Sequence, residues 1–240
     1  MASPVAQFEL KTLIPIEVGG VDLSFTNSAA WMVLAIAGVT AFLTLSMSGR
    51  RMVPGRWQLM AELSYEFIAN MVKDNVGSEG RKYFPFVFSL FMFILACNLF
   101  GMLPYSYTPT SQIIVTFAMA FVVFIGVTII ALVRHGLHFF TFFFPSGAPV
   151  YMAPLLIPIE VISYFVRPVS LSVRLFANMM AGHTMLKVFG GFVIALGVFG
   201  VAPLALIVAL TAFEILVAVL QAYVFTILTC LYLHDAIHLH

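Results

Sequence analysis

The chain has 240 residues, of which 62% are hydrophobic and 9% are charged, and its formal net charge is +1. Soluble domains carry about 25% charged residues, so this composition excludes an ordinary soluble domain and indicates an integral membrane protein. The low net charge and the lack of basic runs give no indication of nucleic-acid binding. Cys97 and Cys230 lie far apart in apolar segments. We interpret them as small hydrophobic residues and expect neither a disulfide nor a metal site.

The first half of the chain predicts three membrane spans. Residues 1–27 are polar and lack the basic start and apolar core of a signal peptide, so we expect an outer segment without that kind of cleavage. Residues 28–47 and residues 84–133 contain apolar runs close to the roughly 20 residues that cross a bilayer. They predict one span and two spans respectively, the latter pair over 84–103 and 113–133.

Residues 48–83 separate the first two spans and have a different pattern. Apolar residues recur there near helical spacing, with charged residues largely on the other faces. The apolar residues are Trp57, Met60, Leu63, Phe67, Ile68 and Met71. The pattern predicts an amphipathic helix that lies on the membrane surface. A small soluble helix packed on other loops explains it equally well.

The second half of the chain has apolar runs that are too long for simple spans. A helix over 151–189 would be about 58 Å long at 1.5 Å per residue, against a hydrocarbon core of about 30 Å. Residues 151–233 therefore predict two long, steeply tilted helices in an antiparallel hairpin. Pro154, Pro158 and Pro168 suggest bends near its start, and glycines and Pro203 in 190–203 mark the turn. The fold class is an all-α integral membrane protein: a single domain with about five membrane-embedded helices and one surface helix.

The distribution of Lys and Arg predicts the orientation. Residues 48–83 contain six of the eleven basic residues, whereas 104–112 contain none and the following loop has Arg134. The six are Arg50, Arg51, Arg56, Lys73, Arg81 and Lys82. By the positive-inside rule the N-terminus is outside, and residues 48–83 and the C-terminus are cytoplasmic.

Arg174 lies deep inside the apolar run 151–189. A guanidinium cannot lose its proton, and it costs about 2.5–3.5 kcal/mol at a helix centre on insertion scales. Such a residue usually faces a partner, a cavity or an ion path. The alternative is an arginine that snorkels to the headgroups or closes a buried salt bridge.

Other polar residues of the hairpin share faces with one another. Glu160, Arg167 and Arg174 are spaced by seven residues and fall on nearly one helix face, with Asn178 four residues further on. One interpretation is that Arg167 forms an ion pair with Glu160. His183 falls on nearly the opposite face, where a lone histidine is more often a satisfied core residue than a ligand.

The last helix carries its own polar pair. Glu214 and Gln221 are seven residues apart, so they share a face. An amide on that face can hydrogen-bond a guanidinium without neutralising it. A carboxyl in hydrocarbon is costly when ionised, so Glu214 is suited to exchanging protons.

Three segments carry a resemblance to a known family. Residues 170–183 read SLSVRLFANMMAGH, residues 213–223 read FEILVAVLQAY, and residues 98–104 read NLFGMLP. Together with the pattern of spans, they resemble subunit a of the F-type ATP synthase. The resemblance implies a stator with no catalytic chemistry of its own, which contacts the rotating c-subunit ring, the b subunits of the peripheral stalk and the rest of the synthase. Arg174 would be its essential arginine.

The resemblance also implies two offset half-channels that Arg174 separates. On the topology above, the outer candidates are His183, Glu214, Asn178 and Gln221, and the cytoplasmic candidates are Glu160 and Asp235. Many bacterial members carry a glutamate nine residues after the arginine and a histidine on the last helix. The exchange of these two types here resembles mitochondrial-type members. Gly101 stands where the family often has an acid, so we assign no acid role there.

The membrane implied is energy-transducing, in the first place a bacterial inner membrane, with the mitochondrial inner membrane as the alternative. No cofactor is expected. Protons are favoured over sodium, because an imidazole relays protons but does not bind hard cations.

Two other classes are weighed against this one. A stand-alone transporter or channel would need its own substrate site, often built from inverted repeats, and we find no such repeat. A purely structural anchor gives no reason for Arg174, Glu214 and Gln221 inside hydrocarbon.

Overall fold

The computed structural model describes residues 8–18, 21–22, 24–49, 51–103, 106–136, 139 and 150–238. These ranges contain six α-helices and two small antiparallel strand pairs. The helices are α1 (Asn27–Met47), α2 (Arg56–Val76), α3 (Phe84–Gly101), α4 (Ile113–His135), α5 (Ala153–Leu196) and α6 (Val201–Ile237). Two residues used above, Arg50 and Pro104, lie outside the described residues.

Five of the helices are long and apolar enough to cross a membrane. They are α1, α3 with the turn before it, α4, α5 and α6. This confirms the all-α membrane class and the five embedded helices. The N-terminal segment, however, contains strands that were not predicted. β1 (Thr12–Ile14) pairs with β4 (Phe25–Thr26), and β2 (Glu17–Val18) pairs with β3 (Val21–Asp22). Their threonine, valine, isoleucine and phenylalanine residues favour extended backbone.

The amphipathic helix is present as α2, but its buried face differs from the predicted one. Ile68, Met71, Val72 and Val76 are buried against the bundle, where α2 packs on α6, α1 and α3. The apolar residues that remain exposed are Trp57, Met60, Leu63 and Phe67. The helix therefore rests on other helices through one side and leaves a second apolar stripe uncovered, so packing on loops was wrong.

The long hairpin is present, and its turn lies in the second half of the predicted region. α5 has 44 residues and is about 66 Å long at 1.5 Å per residue. It continues through Gly190 and Gly191 and ends at Leu196, so the turn falls in the 197–203 part of the predicted region and not at its first two glycines. Glycine can adopt helical backbone, and of the four glycines between Gly190 and Gly200 only Gly197 has a positive φ, 54°. Pro203 falls in the first turn of α6, where no amide donor is needed.

α6 lies at the centre of the described bundle. It packs against α2, α3, α4 and α5, and Ala218 and Ala222 on it are fully buried. Small residues let helix backbones approach closely in membranes, which explains this crowding. On the facing side of α5, Leu175 and Met179 are fully buried. α5 and α6 are thus held rigidly side by side along the stretch that carries the polar residues.

Contacts at the two ends of the bundle join segments that the positive-inside rule places on the same side. At the cytoplasmic end, Arg134 in the last turn of α4 forms an ion pair with Glu79 before α3. At the outer end, Tyr107 donates a hydrogen bond to the Phe8 carbonyl over 3.4 Å. The orientation itself stays a prediction, but the packing is compatible with it.

Candidate functional site

Arg174 lies on an exposed flank of α5. Its neighbours Leu175 and Met179 face the interior, so the guanidinium points away from the bundle. In the part of the chain that the structure describes, Arg174 has no ion-pair or hydrogen-bond partner. A salt bridge within those residues therefore does not account for this cation. It is available to a group outside them.

Asn178 and Gln221 form a hydrogen bond between α5 and α6. The Asn178 Nδ2 donates to Gln221 Oε1 over 2.8 Å. Among the described residues the Gln221 amide oxygen accepts from Asn178 and not from Arg174. Gln221 is 4% exposed, and its Nε2 has no partner among the described residues.

His183 and Glu214 meet across the hairpin. The His183 Nδ1 lies 3.2 Å from Glu214 Oε1, and Glu214 is 4% exposed. The second ring nitrogen, Nε2, lies 3.0 Å from Thr108 Oγ1. The histidine therefore has a carboxyl on one side and a hydroxyl on the other. An acid and an imidazole at this separation are within reach of a proton transfer.

Gly182 makes room for the Glu214 carboxyl. A Cβ at this position would lie 2.5 Å from Glu214 Oε1 and 2.9 Å from its Cδ. Next to this contact, α5 and α6 enclose a crevice of about 320 Å³ whose lining includes Asn178, Gly182, Met185 and Glu214. Asn178 and Met185 are four and eleven residues after Arg174, which places them on the same helix stripe. The crevice thus connects the buried carboxyl with the face that carries Arg174.

Thr108 is a site residue that the sequence did not reveal. It lies in the segment between α3 and α4, and a threonine in a polar loop has no distinguishing pattern. Its hydroxyl lies within hydrogen-bond distance of His183 and of the Gly101 carbonyl. Asn98 fixes the same segment: it accepts a hydrogen bond from Thr110 and donates one to the Ala218 carbonyl.

The N-terminal segment holds the outer side of this loop. Gln112 donates from Nε2 to the Phe8 carbonyl over 2.8 Å and to the Tyr107 hydroxyl over 2.5 Å. Burial raises the pKa of Tyr107, and the hydrogen bond from Gln112 opposes that rise. Tyr107 therefore keeps its proton and can donate to Phe8. These bonds give the loop a fixed position above His183.

The cytoplasmic candidates are arranged differently from the outer ones. Arg167 Nη1 lies 3.1 Å from Asp235 Oδ2, so the reading that pairs Arg167 with Glu160 was wrong. The guanidinium also lies 5.6 Å from the Tyr164 ring centre and 5.2 Å from that of Tyr232. Glu160 is half-buried and has no hydrogen bond or ion pair within the described ranges. The antiparallel hairpin, in which α6 ends beside the start of α5, explains why Asp235 reaches Arg167.

Comparison with known proteins identifies the family. A family model described as ATP synthase A chain matches residues 29–234. ATP synthase subunit a of Paramagnetospirillum magneticum is 62% identical over 247 residues, covering 100% of both chains. The same subunit of Rhodospirillum rubrum is 58% identical over 241 residues, again covering 100% of both. That of Parvibaculum lavamentivorans is 57% identical over 242 residues, which cover 98% of this chain and 93% of the relative. The chain belongs to the ATP synthase subunit a family.

Membership in this family confirms the resemblance read from residues 170–183. It makes the chain a multi-pass membrane component of the ATP synthase, in the sector that carries proton transport. The relatives named here are bacterial, which supports a bacterial inner membrane.

Proposed function

We propose that this chain is the stator through which protons reach and leave a rotating c-subunit ring, with b subunits holding it in place. The observation that carries the proposal is Arg174: a permanent cation on the exposed flank of an apolar helix, without an ionic partner in the described chain. A fixed charge in that position stabilises a carboxylate presented by another subunit. A rotating ring whose subunits each carry a carboxylate would bring such a group past this flank.

A rotary mechanism needs two access paths that do not join. A continuous water path would dissipate the proton gradient, whereas two offset half-channels force each proton to travel with the ring. Arg174 attracts a deprotonated ring carboxylate and repels protons from the space between the paths. One proton that crosses 100 mV releases about 2.3 kcal/mol, so several must pass for each ATP made.

His183, Glu214, Asn178 and Gln221 form the outer half-channel in this proposal. His183 contacts the outer loop through Thr108, and Glu214 opens into the crevice beside the Arg174 stripe. A proton entering from outside is shared by the His183–Glu214 pair and passes along the crevice to the ring. The Asn178–Gln221 bond supports the wall between Glu214 and Arg174.

Glu160 is the cytoplasmic exit group in this proposal. It lies two seven-residue repeats before Arg174, on the same face of α5. It has no ion-pair or hydrogen-bond partner among the described residues. Asp235 was expected to share this task. Its ion pair with Arg167 supports a different one, which is to hold the cytoplasmic ends of α5 and α6 together.

Replacement of Arg174 tests the proposal. Arg174→Ala in the assembled synthase should abolish ATP-driven proton pumping in inverted vesicles while subunit content stays normal. Arg174→Lys should also fail or nearly so, because an ammonium is smaller and more strongly hydrated than a guanidinium. Arg167→Ala is the matched control, since it removes another guanidinium of α5 and should leave most pumping intact. Wild-type pumping by an assembled Arg174→Ala complex would overturn the proposal.

A further inference from the structure

Four groups form a continuous line of contacts at the outer end of the site. Thr108 Oγ1 lies 3.3 Å from the Gly101 carbonyl oxygen and 3.0 Å from His183 Nε2. On the other side of the imidazole, Nδ1 lies 3.2 Å from Glu214 Oε1. The line therefore runs from a backbone carbonyl of α3, through a loop hydroxyl and the imidazole of α5, to the carboxyl of α6.

The chemistry of the groups sets the direction of the hydrogen bonds. A carbonyl oxygen can only accept, and a threonine hydroxyl has one proton to donate. When Thr108 donates to Gly101, it can only accept from His183, so Nε2 carries the ring proton. A neutral imidazole has one N–H, which leaves Nδ1 as an acceptor that faces Glu214. The pair is then set for a proton to pass from the Glu214 carboxyl to Nδ1 and back.

The loop is built to keep Thr108 in this place. Thr108 is 5% exposed, and its carbonyl accepts hydrogen bonds from the backbone N–H and the hydroxyl of Ser111. Thr110 is tied to α3 through Asn98 over 2.8 Å. At Gly101 the Thr108 side chain occupies the space that a Cβ would need. Because the hydroxyl sits on a fixed loop, it is pre-organised to orient the ring.

We propose that Thr108 is a positioning residue of the outer proton-input site, whose hydroxyl accepts from His183 Nε2 and so holds Nδ1 toward Glu214. This inference rests on the proposed function, because it assigns the loop to the path that His183 and Glu214 form. Without the hydroxyl, the ring is free to take the other tautomer or to rotate away from the carboxyl. Proton transfer between the two groups then requires a reorientation first.

Variants of Thr108 test this role through proton flux. Inverted vesicles with the full complex are stripped of the soluble sector, and passive proton flux through the membrane sector is measured at equal subunit content. Thr108→Val keeps the side-chain shape and removes the hydroxyl, and it should lower flux by about three- to tenfold, the effect of one lost hydrogen bond. Thr108→Ser restores a hydroxyl and should recover at least about half of the wild-type flux.

Thr116→Val is the matched control. It removes a buried hydroxyl from the first turn of α4, next to the loop, and that hydroxyl bonds the Gln112 and Ile113 carbonyls rather than His183. It should leave flux within about twofold of wild type. An equal loss in Thr116→Val and Thr108→Val at equal assembly would overturn the positioning role, because packing near the loop would then explain both. Failure of Thr108→Ser to recover flux would also overturn it.

The ring tautomer gives a second, independent readout. In complexes labelled with ¹⁵N-histidine, the His183 signals are assigned by their loss in His183→Gln. The wild type should show a protonated Nε2 and an unprotonated Nδ1, and Thr108→Val should shift this balance. The opposite tautomer in the wild type would overturn the inference. If His183→Gln conducts like wild type, the proposed function fails instead; if it does not conduct while Thr108→Val does, only the inference about Thr108 fails.

Discussion

His183 and Glu214 face each other from two antiparallel helices, one before the hairpin turn and one after it. Their contact of 3.2 Å joins the two ionisable side chains that lie deepest in the outer half of the hairpin. Because the acid and the base are neighbours, the chemistry of the pair does not depend on which helix carries which. We therefore expect the proposed proton path to depend on the pair and not on either residue alone.

Exchange of the two residues tests this dependence. His183→Glu and Glu214→His should each lower passive proton flux by about a hundredfold or more, the lower end for loss of a positioned proton-transfer group. The double variant should retain more flux than either single, since it restores an acid beside an imidazole. Flux is measured in stripped inverted vesicles at equal subunit content. A double variant no better than the worse single would contradict a paired site and leave His183 as a packing residue.

Gly182 makes a second prediction at this scale. Gly182→Ala puts a methyl group into the space of the Glu214 carboxyl, so the carboxyl must move and its contact with His183 must lengthen. Proton flux should fall by about tenfold or more, because the pair no longer transfers protons directly. Gly190→Ala on the same helix is the control, since a Cβ there meets nothing within 4 Å. Equal flux in the two variants would contradict a role for this close approach.

The candidate site residues were easier to predict from the sequence than the residues that contact them. Helical spacing placed Arg174 and Asn178 on one side of α5, and the structure agrees. Spacing along one helix does not fix how that helix is rotated against its neighbours. The contact of Asp235 with Arg167 and that of Thr108 with His183 depend on this rotation and on loop conformation. These two contacts could not be predicted from the helical period of 3.6 residues.

At the scale of whole elements, the hairpin of α5 and α6 is tied at its cytoplasmic end by Arg167 and Asp235. The pair is partly exposed, with side-chain exposures of 24% and 47%, so solvent weakens it. A pair of this kind contributes about 0.2–1 kcal/mol. The rings of Tyr164 and Tyr232 beside the guanidinium add cation–π attraction.

A double-mutant cycle measures this tie. Arg167→Gln and Asp235→Asn should each lower the thermal stability of the purified membrane sector slightly. The loss of stability in the double variant should be smaller than the sum of the losses in the two single variants. The difference, which is the coupling energy of the pair, should be on the order of 0.2–1 kcal/mol. High salt should reduce the coupling, because the pair is partly exposed. Additive losses would show that the pair does not hold the helices together.

The lengths of the elements were predictable, whereas their ends and buried faces were less so. Runs of apolar residues gave five membrane helices and two long ones, since length and composition alone decide that question. Gly190 and Gly191 suggested an early turn, but glycine does not break a helix that neighbouring packing supports. In α2 the apolar residues divide between two faces, and only the tertiary packing decides which face is covered.

At the scale of the molecule, the central claim is that this chain is one half of a proton pathway whose other half is carried by a ring. Arg174 is exposed, and the crevice beside it opens along the same stripe of α5. A transporter that works alone would enclose its site between its own helices. The exposed position of the decisive charge instead points to a second subunit that completes the path.

Reconstitution into liposomes tests this claim most directly. The purified chain is placed in liposomes alone, with b subunits, and with b subunits and the c-ring, and proton flux is measured under an imposed potential. We expect flux only when the ring is present, and loss of ring-dependent flux when Gly182→Ala replaces the wild type. Proton flux through the chain alone, equal to that of the assembled sector, would contradict the account.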